Sequence, residues 1–262
     1  MPFLDHGEFK AYYRWEGLAD GPVMVLSHSL GCSCEMWRGQ VEALGDRFRI
    51  LLYDHRGHGQ SGIPSRPWAI DDFGEDLVRL LNHLGLELVN FCGVSLGGMV
   101  GMWVAQNAPG RLARMALCNT SAKTEDPTLL QGRIRLIESE GMAAIVDNVL
   151  ERWFTEAFRS ACPDEIAGAR KVLESASADA YAATSRAVCE LNLLDELGAI
   201  EIPTMVVYGT YDQATPPAWN LAIADAIPGA KAVELPTAHL SNIEARSEFN
   251  RVVEEFLVAK AG

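Results

Sequence analysis

The stretch that most constrains this chain is VNFCGVSLGGMVGMWVAQNAP, residues 89–109. Its first six residues carry no charge and no polar–apolar alternation, the mark of a strand buried on both faces. From Gly98 onward the pattern changes. Met99, Met102, Trp103 and Gln106 fall three to four residues apart, and Pro109 closes a helix. Met99 and Met102 read as core. A buried strand therefore runs straight into a helix, with Ser95 at the corner. Gly93 and Gly97 lie two residues to either side, where side chains would clash with the neighbouring strand and helix. Without that clash the serine can adopt strained backbone angles with its hydroxyl exposed. The amino end of the helix that starts there favours negative charge.

The rest of the chain supplies the sheet that such a corner needs. Short apolar runs recur at 9–17, 23–30, 48–54, 114–120, 202–210 and 231–236. Between most of them lie stretches with helical apolar spacing, at 36–44, 70–85 and 98–109, and again from 245 to the end. Strands alternating with helices predict an α/β fold with a mostly parallel central sheet covered on both faces. Residues 122–190 break the alternation. They hold helical patterns (TLLQGRIRLIESEG, MAAIVDNVLERWF, EIAGARKVLESA, ADAYAATSRAVCEL) and no convincing strand. The expected organisation is a core of residues 1–121 and 191–262 with a helical cap of residues 122–190. Ligands of open α/β sheets bind at the carboxyl ends of the strands, so this insertion should sit over the site as a lid.

Composition narrows the partners. With a net charge of −13 the surface repels nucleic-acid backbones, and an anionic substrate would need a local arginine against the overall field. No apolar run approaches the roughly 18 residues of a membrane span. The start, MPFLDHGEFKAYYRW, lacks the pattern of a signal peptide. Six scattered cysteines, with Cys32 and Cys34 in a C-x-C rather than a C-x-x-C, read as reduced cytoplasmic residues in apolar roles. No nucleic acid, membrane, metal or cofactor is called for.

A serine hydroxyl needs a base to become a nucleophile. Of the six histidines, His6 reads as solvent-facing, His83 lies in a helix, His28 ends a strand, and His55 and His58 lie in the loop DHRGHGQSG. His239, in PTAHLSN, follows the last predicted strand, at the end of the sheet where Ser95 should be. Asp212 follows the strand that ends at Gly209 and is the candidate carboxylate to orient the imidazole. An oxyanion would need two backbone N–H donors. Leu96, at the head of the helix, supplies one. By position Leu30, in the loop His28-Ser29-Leu30-Gly31, supplies the other.

On HSLG (28–31), DHRGHGQS (54–61), GVSLGG (93–98), Asp212 and His239, in that order along the chain, the sequence resembles the α/β-hydrolase superfamily over nearly its whole length. CNT (118–120), GTYDQATPP (209–217) and AHLSNIE (238–244) make it similar to the 3-oxoadipate enol-lactonases of aromatic-compound degradation in the β-ketoadipate pathway. His55 stands where that family's loop more often has threonine. The resemblance implies a cofactor-free hydrolysis through an acyl-enzyme. Ser95 would be the nucleophile, His239 the base and Asp212 its partner, and the substrate a small lactone with a carboxylate arm.

That carboxylate calls for a cation in the pocket. The cap offers Arg133, Arg135 and Arg152, of which Arg133 is the first choice, and Trp153 would line the apolar side. Any one of these arginines could equally lie on a solvated face beside a glutamate. Asp54 and Arg56 are expected to pair and brace their loop, without a catalytic role. A broad carboxylesterase or C–C bond hydrolase of the same fold, and a non-catalytic binding protein that kept it, are the competing readings. A dehalogenase would carry aspartate where Ser95 stands.

Overall fold

The computed structural model describes residues 3–258. Among them eight strands form one sheet, in the order β1-β2-β4-β3-β5-β6-β7-β8. β1 (Phe3–Asp5) and β2 (Lys10–Gly17) are the antiparallel edge. β3 (Val23–Ser27), β4 (Arg49–Tyr53), β5 (Val89–Val94), β6 (Leu112–Cys118), β7 (Thr204–Gly209) and β8 (Lys231–Leu235) run parallel. Successive side chains of a strand point to opposite faces, so each central strand feeds two apolar layers. Met24, Leu26, Ile50, Leu52, Cys92 and Val94 join the layer shared with α1 (Arg38–Leu44) and α11 (Arg246–Val258). Val25, Leu51, Phe91 and Met115 join the layer under α2 (Ile70–His83), α3 (Leu96–Asn107) and α9 (Pro217–Ala226). Burial on both faces is why these strands read as uninterrupted apolar runs.

Between β6 and β7 the chain builds α4 (Thr128–Glu140), α5 (Val146–Trp153), α6 (Glu156–Ala161), α7 (Pro163–Glu174) and α8 (Ala178–Cys189). One isolated bridge, Lys123 to Asn192, joins the two ends of this insertion. The four-residue α10 (Ser241–Glu244) precedes α11. No helix among the described residues is long and apolar enough to cross a membrane.

The structure adds elements and corrects contacts. β1 and α9 were absent from the sequence reading. β1 is three residues long, and its turn is marked by Gly7 at φ +85° and by the Gly7 N–H donating to Asp5 Oδ1 at 2.7 Å. Pro216-Pro217 reads as a turn, but Pro217 opens α9 at a position where its missing N–H is harmless. His6 does not face solvent. Its side chain is 2% exposed, stacks on Phe9 and lies 3.1 Å from Asp76 Oδ1.

Asp54 and Arg56 do not pair. Asp54 braces the loop alone, accepting the Cys34 and Gln60 N–H groups at 2.8 Å each. Arg56 turns to α2, donating from Nε and Nη2 to Asp76 at 2.7 and 2.8 Å, with Asp72 at 3.2 Å from Nη1. This forked pair is buried, so removing one partner strands the other's charge. Arg56→Ala should cost about 3–5 kcal/mol of stability. Denaturant unfolding checks this, and a loss under about 1 kcal/mol would mean that solvent reaches the carboxylates.

Candidate active site

The corner is built from backbone held at close range. Ser95 has φ +56° and caps α3. Its N–H donates to the Cys118 carbonyl at 2.9 Å, and its carbonyl accepts from Thr120 Oγ1 at 2.7 Å and the Met99 N–H at 3.1 Å. These bonds tie β5, β6 and α3 to one residue and hold its strained angles. A side chain on Gly97 would overlap the Ser27 carbonyl of β3, and one on Gly93 would overlap the Gly97 backbone. Any larger residue at either position would push β3, β5 and α3 apart.

His239 stands just beyond β8. Its Nδ1 is 2.9 Å from Asp212 Oδ2 and 3.3 Å from Thr215 Oγ1. Asp212, three residues past β7, is almost wholly buried and fully bonded. Its Oδ1 accepts the N–H groups of Ala214 and Thr215 at 2.8 and 2.9 Å, and its Oδ2 also accepts from Thr215 Oγ1 at 2.8 Å and Asn119 Nδ2 at 3.1 Å. Burial is the largest influence on this carboxyl and pushes its pKa up. The charge and hydrogen bond of His239, with the Thr215 bonds, outweigh it and hold the pKa below the ordinary carboxylate value. Asp212 is therefore an anion at neutral pH, fixed on the Nδ1 side of the ring. Nε2 is left for a reaction partner. Ser95 and His239 line one cavity of about 120 Å³, with no hydrogen bond between their side chains.

Leu30 and Leu96 line the same cavity. The Ser29 carbonyl accepts from His28 Nδ1 at 2.9 Å and from the Cys32 N–H at 3.1 Å. A carbonyl can only accept, so Nδ1 carries the proton. Nε2 of His28 is then free to accept the His55 N–H at 3.0 Å. The Leu30 N–H belongs to the peptide whose carbonyl His28 holds, so His28 fixes the plane in which that N–H lies. His55 supports the loop from below, its Nε2 lying 3.2 Å from both the His28 carbonyl and Ser27 Oγ.

Arg133 and Arg152 both line the cavity, as does Trp153, which is 5% exposed; Arg135 lies on the exposed face of α4. Arg133 donates to Tyr181 of α8, and Arg152 to the Gln213 carbonyl beside Asp212. A larger cavity of about 460 Å³ lies beyond Trp153, but neither Ser95 nor His239 lines it. Among the described residues no cluster of His, Cys, Asp or Glu could hold a metal ion.

Three residues at the site went unassigned in the sequence. Asn119, at φ +45°, donates from Nδ2 to both Asp212 and the Ala238 carbonyl, at 3.1 Å each. Thr215 bonds acid and imidazole together. Glu244 accepts the Ala238 N–H at 2.9 Å and bonds Thr155 of the insertion, tying the His239 loop to it. Asn119 and Glu244 lie in CNT and AHLSNIE. The signal for Asn119 was an asparagine at a strand end, a residue that tolerates positive φ.

Four further findings come from known proteins. A model of the alpha/beta hydrolase fold matches residues 22–245. The chain is 34% identical to 3-oxoadipate enol-lactonase 2 of Acinetobacter baylyi, covering 92% of this chain and 91% of that one. It is 30% identical to a putative carbamate hydrolase, RutD, of Agrobacterium fabrum, over 92% and 94%. Among solved structures, the enol-lactonase from Burkholderia xenovorans LB400 superposes with a TM-score of 0.96 at 38% identity, over 98% of this chain and all of that one.

The histidine cluster under the loop that carries Leu30 predicts an acid-sensitive fold. Burial holds His28 and His58 down to about 4, against a backbone hydrogen bond to each that raises the value; the neighbouring His28 adds to the lowering of His58. Between pH 6.5 and 4 the unfolded chain takes up protons that these folded rings refuse. Their stabilisation is thus complete above pH 6.5 and falls as pH drops toward 4. The loss should be roughly 2 kcal/mol per histidine by pH 5. Denaturant midpoints at pH 7 and pH 5 measure it, and equal midpoints would show the cluster open to water.

Proposed function

This chain belongs to the α/β-hydrolase fold family, and from that premise we propose that it hydrolyses 3-oxoadipate enol-lactone to 3-oxoadipate. The observation that carries the reading is one small cavity lined by Ser95, by His239 backed with Asp212, and by arginine from the helical insertion. A nucleophile–base pair with a cation beside it suits an ester that carries a carboxylate. The identity to enol-lactonases along nearly the whole chain supports the same substrate.

Each step is assigned to a residue of this cavity or its backing. Ser95 Oγ attacks the lactone carbonyl while His239 Nε2 takes its proton. Asp212, held at Nδ1, keeps the ring in that tautomer and offsets the charge that forms on it. The oxyanion meets the N–H groups of Leu30 and Leu96, each such donor being worth roughly 3 kcal/mol in the transition state. Collapse breaks the ring C–O bond and expels an enolate, a better leaving group than an alkoxide, so the bond can break ahead of proton transfer; the proton then passes from His239 to the enolate and leaves Nε2 neutral. Water that loses its proton to His239 then cleaves the acyl-enzyme. Arg133 holds the substrate's carboxylate, Trp153 forms the apolar wall, and the insertion of residues 122–190 acts as the cap. No cofactor takes part. Six unpaired thiols fit a reducing cytoplasm as the place of action.

The carbamate hydrolase relatives favour a second reading, a hydrolase of another small acyl compound on the same residues. A broad carboxylesterase is the third. Assays on purified protein separate them. The enol-lactone should be preferred over a neutral aryl ester by at least about tenfold in kcat/KM, from the carboxylate contact. A carbamate substrate turned over faster than the lactone would transfer the assignment to the second reading.

Two variants test the residues. Ser95→Ala should abolish turnover of every ester while ligand still binds; unchanged turnover would remove Ser95 and the acyl-enzyme with it. Arg133→Ala should raise KM for the lactone about tenfold and leave the neutral ester alone. An equal effect on both would take Arg133 out of carboxylate recognition.

A further inference from the structure

The cavity at Ser95 holds two guanidinium groups where a monoanionic substrate calls for one. Arg133 comes from α4 and Arg152 from α5, and both line the same space of about 120 Å³. Elsewhere in the insertion, Arg159, Arg170 and Arg186 each sit against a carboxylate. Arg133 and Arg152 have none within 4.0 Å among the described residues. Asp126 is the acidic residue in the cavity lining; it is exposed, and its Oδ1 is taken by the Thr128 N–H at 2.9 Å. Arg152 Nε is buried with no hydrogen-bond partner.

Two cations without a carboxylate partner that line one small cavity repel each other. Burial, and then the charge of Arg133, lower the pKa of Arg152, against Asp212 and Tyr181, which raise it. In a protein of net charge −13 with 35 acidic residues, carboxylates to neutralise them were abundant. The arrangement is stable when an anion supplies what the chain withholds. The two arginines are also held by different walls. Arg133 is bonded to Tyr181 of α8, and Arg152 to the Gln213 carbonyl next to Asp212. They are thus placed to take two separate anionic groups, with Arg152 on the side of the reacting residues.

The reaction proposed above, on which the assignment of ends rests, makes such a pair of groups. Lactone monoanion and water become a dicarboxylate dianion and a proton. The ring C–O bond breaks, the acyl carbon gains the water oxygen, and the new acid ionises. The site ends each turnover with one more negative charge than it began. We propose that this cavity is a dicarboxylate site, in which Arg133 holds the carboxylate that the substrate brings and Arg152 the one that hydrolysis creates. The six-carbon dicarboxylate product is therefore retained and inhibits.

Calorimetric titration of the whole protein with adipate and with hexanoate tests this without any turnover. The two share a six-carbon chain and differ by one carboxylate. Adipate should bind at least about tenfold more tightly at fixed ionic strength. Arg152→Gln should bring the ratio to within about threefold and leave hexanoate affinity unchanged, with an unaltered thermal melt showing that the fold survives. Equal binding of the two acids by the wild-type protein would overturn the proposal, because both arginines would then clamp one carboxylate. A ratio that survives Arg152→Gln would overturn the role of Arg152. Lactone turnover is measured separately. A protein that hydrolyses the lactone but does not prefer adipate keeps the function and loses this inference. One that prefers adipate but leaves the lactone intact does the reverse.

Discussion

Everything at the site depends on how closely three strands and a helix approach one another at Ser95. The Ser27 carbonyl of β3 occupies the space where Gly97 would carry a side chain, and the Cys118 carbonyl of β6 takes the Ser95 N–H. A non-glycine residue at positive φ is costly in isolation, and it persists here because the surrounding contacts leave no alternative. The same approach aligns the ends of β3, β5 and β6, so the loops that follow them meet over one cavity. The β3 loop brings the Leu30 N–H, and the β6 loop brings Asn119. β7 and β8, extending the sheet in register, add Asp212 and His239. The chemistry is thus a consequence of sheet order before it is a property of any side chain.

Sheet order also decides what could be read from the sequence. Strands buried on both faces leave long apolar runs, so β3 to β8 were legible, as was the strand-to-helix corner between β5 and α3. Ser95, Asp212 and His239 could be picked out because each follows such a run. β1 could not, since a three-residue strand has no period to detect. The errors at Arg56 and His6 share a cause. Residues two apart in a tight loop suggest an Asp54–Arg56 pair, whereas the real partners of Arg56, Asp72 and Asp76, lie on a helix 16 and 20 residues away. Asn119, Thr215 and Glu244 act through a few hydrogen bonds between loops, and such bonds leave no periodic trace.

Charge is distributed against the trend of the whole molecule. An acidic surface would repel an anionic ligand, yet the cavity beneath the insertion is cationic. Low-dielectric walls strengthen the local field of the half-buried Arg133 and Arg152, while solvent screens the surface carboxylates beyond about 10 Å. Local cations can therefore prevail inside the cavity over a much larger opposing net charge. The outer field still slows encounter with anions, so selectivity rests on the groups that surround a ligand after it enters.

The insertion is part of the machinery that holds the imidazole. The Trp153 carbonyl, at the end of α5, accepts the N–H groups of both His239 and Leu240 at 3.1 Å. Two residues on, Thr155 is bound by Glu244, whose carboxylate also takes the Ala238 N–H. On the other side Arg152 bonds the Gln213 carbonyl, next to Asp212. Residues 152–155 thus clasp the acid loop and the histidine loop together, and Trp153 faces the cavity from the middle of that clasp. Moving this edge of the insertion aside would break bonds to the backbone of His239 itself. The alignment of His239 with Asp212 is therefore tied to one wall of the cavity: Arg152 and Trp153 line it, while Trp153 and Thr155 hold the loop that carries the imidazole.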